Sequence, residues 1–232
     1  MTPLENWGLK LLRGEAFRAP VAMETELADP LVVGNPDLEP ETITTYDIQL
    51  FYSTEKTYAA ITYFDSVIDD IIVYDTTSMP MSYMNGGEHK FDGLEVEAKH
   101  FITPNWHVLG SFLHQDNDPD AGISASPVPE NMFKLGTGYV WDEGSISFFY
   151  NYFDAVPHLN PALVTESPDA VNQVSMNLRL DTSRWMGLET GQSIFTLKVE
   201  NLLDEDPADT DMWGYFPYGP GLTVYAGLTY NF

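Results

Sequence analysis

Cysteine is absent from the 232-residue chain, which removes disulfide staples, thiolate nucleophiles and cysteine-based zinc sites together. Cations are scarce: 10 Lys and Arg stand against 35 Asp and Glu, a formal charge of −25. A surface so acidic repels phosphate backbones, because nucleic-acid binding needs cations to displace condensed counterions, so nucleic acid is excluded as a partner. No apolar run approaches the roughly 20 residues of a membrane-spanning helix. The opening residues MTPLENWGLKLL carry neither the basic region nor the cleavage site of a secretory signal. No segment has helical periodicity, and no nucleophile elbow, phosphate loop, paired acid site or zinc motif stands out. Neither an enzymatic activity nor a cofactor is expected.

What the chain does have is alternation. In LTVYAGLTYNF, Leu222, Val224, Ala226, Leu228, Tyr230 and Phe232 share one parity, and Thr223, Tyr225, Gly227, Thr229 and Asn231 the other, which is the two-residue repeat of a strand with one apolar face. QVSMNLRL, SIFTLKVEN, SISFFYNY, MFKLGTGYVW, GLEVEAK and TYDIQLFY repeat the pattern; WHVLGSF and NWGLKLLRG do so with less contrast, and YAAITYF is ambiguous in parity. About ten strands result, each expected to be near the 9–11 residues that cross a bilayer at a tilt. The mean hydropathy of −0.19 fits such strands, whose lipid-facing and lumen-facing side chains average to a mild value.

The connections alternate in length. Short turns at 53–57, 103–105, 141–145 and 181–192 are interleaved with long polar segments at 17–41, 74–90, 115–130, 154–171 and 204–221. An antiparallel meander with short turns at one end and long loops at the other is the layout of an outer-membrane barrel. Much of the acid lies in the long connections, as in Asp116, Asp118 and Asp120 or Asp204, Glu205, Asp206, Asp209 and Asp211.

Several residues invite a chemical reading. Of the five histidines, His89, His100, His107, His114 and His158, only His107 and His114 fall on one expected strand, and their odd separation sets them on opposite faces. Met79, Met81 and Met84 in SMPMSYM offer thioethers of the kind that bind Cu(I), although packing of the loop is the commoner use. Asp206, Asp209 and Asp211 stand beside Trp213, Tyr215, Phe216 and Tyr218, so carboxylates able to hold Ca²⁺ or a cationic cargo meet rings able to stack on a flat ligand. A solvated acidic loop with an aromatic belt explains the same residues.

Five collinear motifs resemble the C-terminal half of TonB-dependent outer-membrane receptors: AFRAP (16–20) with GNPDLEPE (34–41), GLEVE (93–97), VPENMFKLG (128–136), VENLLDED (199–206) and a final strand ending on Phe232. The resemblance marks Phe17, Arg18, Pro20, Asn35, Pro36, Leu38, Pro40, Glu41, Gly93, Glu95, Asn201 and Asp204 as structural motif residues. Gly34 and the two prolines are expected to deliver a rigid corner into the strand near Thr42. Gly93 is expected to let its strand bend while Glu95 and Glu97 face the lumen, and Asn201 and Asp204 to order the loop entrance.

The fold implied is all-β, an antiparallel transmembrane meander forming about ten strands of a larger barrel of the 22-strand type, with the plug domain outside this chain. On this expectation residues 1–232 are the C-terminal barrel region, and the N-terminal strands, plug, TonB box and signal peptide lie elsewhere. The resemblance implies a bacterial outer-membrane transporter of scarce cargo, a ferric siderophore first and cobalamin, carbohydrate or a metal complex next. The TonB complex would engage only the missing N-terminal segment, outer-membrane lipid would surround the wall, and the β-barrel assembly machinery would read Phe232. The alternative is an autonomous small outer-membrane barrel, a hydrolase or porin; a soluble β-sandwich or adhesin would need polar residues at Phe148, Tyr150, Phe195 and Leu197.

Overall fold

A computed structural model describes residues 4–75, 77, 79–119, 128–155, 169–188, 191–205, 208–211, 214–217 and 221–232, with backbone alone at 118–119, 208–211 and 214–217. In chain order the elements are β1 (Trp7–Arg18), α1 (Ala22–Glu26), β2 (Val32–Val33), β3 (Glu41–Ser53), β4 (Thr57–Asp69), β5 (Ile72–Asp75), β6 (Met81–Asn85) and β7 (Glu88–Thr103). There follow β8 (Trp106–Pro119), β9 (Asn131–Trp141), β10 (Gly144–Phe153), β11 (Val171–Asp181), β12 (Gln192–Glu200), β13 (Ala208–Asp211), β14 (Gly214–Pro217) and β15 (Thr223–Asn231).

Ten of these strands form one sheet in the order β1-β3-β4-β7-β8-β9-β10-β11-β12-β15, each pair antiparallel. These are the ten stretches that alternate in the sequence. Within the described residues β1 pairs only with β3 and β15 only with β12, so the sheet is an open section of barrel wall.

Register is what makes the alternation count. Leu50 lies opposite Leu9 and Ile61, Ile61 opposite Val96, and Val96 opposite Phe112. The row continues through Phe133, Tyr152 and Asn172 at one level and through Leu135, Tyr150 and Val174 at the next. Met176 then faces Val199, which faces Val224. The opposite face carries Lys10, Gln49, Thr62 and Glu95 in one row and Ser147, Asn177 and Lys198 in another. A slip of one residue in any pair would interrupt both surfaces. YAAITYF, which the sequence left open, puts Ile61 and Tyr63 on the apolar face, because their partners across β7 are Val96 and Leu94.

Among the described residues no layer covers that face. The buried apolar residues among those described are only Ala60, Tyr83 and Val199, while Leu9 is 64% exposed, Ile48 51% and Leu228 61%. A soluble sandwich would hide such rows against a second sheet; here they form a continuous surface whose natural solvent is hydrocarbon.

Two expectations about the elements need correcting. The wall strands run from 9 to 16 residues, and the longest, β7, starts at Glu88 and β8 reaches Pro119. Both therefore intrude on the expected loops at 74–90 and 115–130, because strand pairing above the bilayer satisfies backbone groups whatever the side chains are. The chain also has the one-turn helix α1, in which the Val21 N–H donates to Glu24 Oε2 at 2.8 Å and the Glu24 N–H donates to the Val21 carbonyl at 2.8 Å, a local turn too short to give a helical period.

Candidate functional site

The short turns β3–β4, β7–β8, β9–β10 and β11–β12 lie at one end of the sheet, and the long connections at the other. At the long-loop end the first two connections are joined into one body. β2, from the first, pairs in parallel with β6, from the second, and β6 pairs antiparallel with β5. Met81 N–H donates to Leu31 O at 2.9 Å and the Asn35 amide to Tyr83 O at 3.0 Å. Asn35 Oδ1 also accepts from the Asp37 N–H at 3.0 Å, an Asx turn that fixes the corner between Pro36 and Leu38. Asn85 spans three chain segments: its Oδ1 accepts from the Glu39 N–H, and its amide donates to Glu39 O and Asp70 O at 2.9 and 2.7 Å. A Cβ on Gly34 would stand 2.6 Å from backbone atoms of Thr25, Glu26 and Leu27. Its need is close approach.

The AFRAP and EPE residues meet below this body. Arg18 pairs with Glu41 in the β1–β3 register; its Nε donates to Glu41 Oε2 at 2.6 Å and its Nη2 to Oε1 at 2.7 Å. Nη1 reaches both oxygens of Glu24 at 3.0 and 3.1 Å. Glu41 Oε1 further accepts from the Ile72 N–H at 2.8 Å, the first residue of β5. The Arg18 hydrogen bonds, helped by the Ile72 N–H and opposed by burial, hold the Glu41 carboxyl below its ordinary range, and the same pair raises the guanidinium. Phe17 is exposed and Pro20 half-buried beside this node; Leu38 is half-buried, whereas Pro36 and Pro40 are exposed.

Tyr83 is buried above the node, its hydroxyl 2.9 Å from that of Tyr74 and the ring centroids 4.6 Å apart. Burial first, and the Tyr74 hydroxyl second, push its phenol up to about 12. Neither tyrosine nor Asn85 was singled out in the sequence, although Asn85 precedes a Gly-Gly pair of the kind that signals a turn.

No register shift falls at Gly93, whose pairing with Phe64 and Gln115 runs through unbroken. A Cβ there would collide with the His114 carbonyl oxygen and stand 2.6 Å from the Phe64 ring, so the glycine makes room for that ring. The register shift in β7 falls instead between Phe101 and Thr103. Glu95 lies exposed on the polar face, and Glu97 accepts from the Tyr58 hydroxyl at 3.2 Å.

Asn201 is buried with φ 51°, and Asp204 has φ 55°. The Asn201 amide donates to Glu205 O at 2.6 Å while its Oδ1 accepts from the Glu205 N–H at 3.0 Å; Asp204 Oδ1 accepts from the Leu222 N–H at 2.7 Å. One turn thereby ties the end of β12 to the start of β15. Phe232 follows β15, exposed, its ring edge-on to Tyr230 at 4.8 Å.

The candidate ligand residues do not converge among the described residues. Asp206, Trp213 and Tyr218 lie outside them, and for Asp209, Asp211, Tyr215 and Phe216 only the backbone of the β13–β14 hairpin is described. Met81 and Met84 differ in parity on β6, which turns them to opposite faces, while Met79 precedes the strand and is 76% exposed. His89 and His100 share β7 as His107 and His114 share β8, so two strands carry histidine pairs where the sequence indicated one. His100 Nδ1 meets the Thr57 hydroxyl at 2.8 Å and His114 Nδ1 meets Asn131 Oδ1 at 2.9 Å. His158 lies outside the described residues. No cluster of three His, Asp or Glu suited to a metal exists among the described residues.

Known proteins agree with this geometry. The family model described as TonB dependent receptor-like, beta-barrel matches residues 2–202, and the chain belongs to that family of outer-membrane proteins of Gram-negative bacteria. The vitamin B12 transporter BtuB of Vibrio cholerae serotype O1 is 25% identical over 204 residues, 88% of this chain and 32% of that protein. Among solved structures, a variant of the ferric enterobactin receptor PfeA from Pseudomonas aeruginosa superposes with a TM-score of 0.77 at 14% identity, over 100% of this chain and 39% of its own. The copper transporter OprC does so at 0.70 and 18%, over 96% and 36%. The chain spans about a third of the length of the curated relatives it matches.

Proposed function

We propose that these residues form the C-terminal section of the barrel wall of a full-length TonB-dependent receptor that is a non-enzymatic importer, with a ferric siderophore as its first candidate cargo. The carrying observation is the open ten-stranded wall whose edges β1 and β15 each lack a second partner among the described residues. Unpaired edges are costly in lipid, so further strands are required between them. The alternative, an autonomous small barrel, would need β1 and β15 to pair with each other. By their names, the similar proteins import or receive a siderophore, a vitamin and copper, and iron chelate is the reading supported by the highest of the quoted structural similarities. Coupling to the TonB complex belongs to parts of the receptor beyond these strands, and the interlocked first two loops offer a rigid rim around the cargo entrance.

Deletion of the whole gene in the source bacterium, followed by uptake assays with labelled ferric enterobactin, cobalamin and copper under conditions of expression, tests this. Loss of ferric chelate uptake alone is expected. Unchanged uptake of all three would overturn the transport reading, and loss of only cobalamin or copper would overturn the cargo.

A further inference from the structure

The geometry points to a binding site for one zwitterionic phospholipid at the short-turn end of the wall, between the β9–β10 and β11–β12 turns. A cleft of about 400 Å³ opens there, lined by Trp141, Glu143, Leu180, Asp181, Arg184 and Trp185. Its floor belongs to the apolar face: Trp141 and Leu180 both lie opposite Gly144, and Leu180 also opposite Phe195. The next row of that face, Ile146, Leu178 and Leu197, continues the floor toward the middle of the wall. Gly144 lets the floor close. A Cβ there would collide with the Arg179 carbonyl oxygen and stand 2.9 Å from the Trp141 ring and 3.0 Å from Leu180, so the indole packs against the glycine backbone. On its other side the indole stacks on Tyr139, with centroids 6.1 Å apart.

The walls of the cleft are charged, and their charges do not neutralise each other. Among the described residues neither the Arg184 guanidinium nor the Glu143 carboxylate makes an ion pair, so the two stand too far apart to meet although they line one space. Asp181 is already occupied, accepting from the Ser183 N–H at 2.9 Å and the Gln192 amide at 2.7 Å.

Trp185 is 74% exposed, yet its turn is firmly bonded. The Met186 N–H donates to Thr182 O and the Leu188 N–H to Ser183 O, both at 3.0 Å, while the Ser193 N–H donates to Ser183 Oγ at 2.8 Å. The turn therefore holds the indole out beside Arg184.

These features select one ligand chemistry. A guanidinium suits a phosphate, a separate carboxylate suits an ammonium, the apolar floor suits an acyl chain, and indoles suit the boundary between them. A phospholipid with an ethanolamine headgroup carries all three parts in that order. An aromatic girdle alone accounts for the two indoles, but not for an opposed, unpaired Arg and Glu at the same cleft. That the cleft meets the periplasmic leaflet rests on reading the sheet as outer-membrane wall, whose short turns face the periplasm.

Native mass spectrometry of the full-length receptor, delipidated in detergent and titrated with dioleoyl phosphatidylethanolamine or dioleoyl phosphatidylglycerol, tests the site. One ethanolamine lipid should be retained in preference to the glycerol lipid. Arg184→Gln should weaken retention of both lipids about threefold, the scale of one half-exposed ion pair, whereas Glu143→Gln should weaken only the ethanolamine lipid. Equal or greater retention of the glycerol lipid by the unmodified receptor overturns the proposal, and so does retention that neither variant changes. Displacement by soluble glycerophosphoethanolamine as effective as by the lipid would overturn a lipid as the occupant. Both substitutions lie in exposed turns, and the comparison of the two lipids on the unmodified receptor decides even if a variant fails to assemble. A heat-modifiable receptor that shows no lipid preference would sink the site and leave the wall reading intact; a receptor soluble without detergent would sink the wall.

Discussion

Arg18 and Glu41 face each other at the open end of the first strand pair and are joined by two parallel N–H···O bonds of 2.6 and 2.7 Å. Twenty-three residues apart in sequence, they close the first long connection at its base. Glu41 then reaches the Ile72 N–H at 2.8 Å, so the same carboxylate also anchors the second connection. The structure thus gives the AFRAP and EPE residues a shared mechanical role.

Removing the charge from this node should loosen both connections together. Glu41→Gln keeps the shape but weakens a bidentate, half-exposed pair, an effect of about 1–2 kcal/mol and so roughly 5- to 30-fold in local opening. Hydrogen exchange in the full-length receptor should speed up at the Ile72 and Met81 amides together, leaving β10 and β11 unchanged. Acceleration at Ile72 alone would show that the two connections open independently.

The same node sets a pH response. The folded Glu41 carboxyl titrates below its ordinary value because Arg18 and the Ile72 N–H favour the charged form. Its contribution is therefore complete above the unfolded value of about 4.3 and disappears only as pH falls through the lower, folded value. Protection of the Ile72 amide, corrected for intrinsic exchange, should hold from neutral pH into the ordinary carboxylate range and fall below it. Glu41→Gln should abolish that dependence.

Two glycines of the polar face should respond differently to alanine. At Gly136 the new methyl meets the Phe149 ring at 2.8 Å and a Leu109 methyl at 3.1 Å, both side-chain atoms that can be removed or moved. At Gly93 it also meets the His114 carbonyl oxygen, which is backbone. Gly136→Ala should therefore be rescued by Phe149→Ala, whereas Gly93→Ala should stay destabilising by about 1–3 kcal/mol even with Phe64→Ala. Heat-modifiability of the full barrel reads both, and rescue of Gly93→Ala by Phe64→Ala would refute the backbone clash.

The split between faces predicts opposite tolerance at neighbouring positions. Ile48, 51% exposed, lies on the apolar face between Leu11 and Tyr63, and Gln49 on the polar face between Lys10 and Thr62. Ile48→Lys should destabilise insertion by about 2–4 kcal/mol if near mid-bilayer, while Gln49→Lys should be nearly neutral. Spin labels at Phe148 and Leu197 should be relaxed by oxygen dissolved in lipid, and one at Asn177 by a water-soluble nickel chelate. The reverse pattern would exchange lumen and lipid.

All ten wall strands and the alternation of short and long connections are legible in the sequence, because a two-residue period is a local property that a wall wetted differently on its two sides imposes on each strand. Strand ends were less visible. β7 and β8 continue past the apolar band into acidic sequence, where pairing rather than hydrophobicity defines the strand. The two-residue β2 was invisible, since its existence depends on β6 some fifty residues later.

The residues themselves determined the sided pattern, the strand count and the family likeness. Tertiary structure alone decided which parts of the chain meet: Arg18 with Glu41, and Asn85 with Glu39 and Asp70. Period is written within a strand, but the meeting of side chains depends on register between strands and on backbone bends, which no single segment encodes.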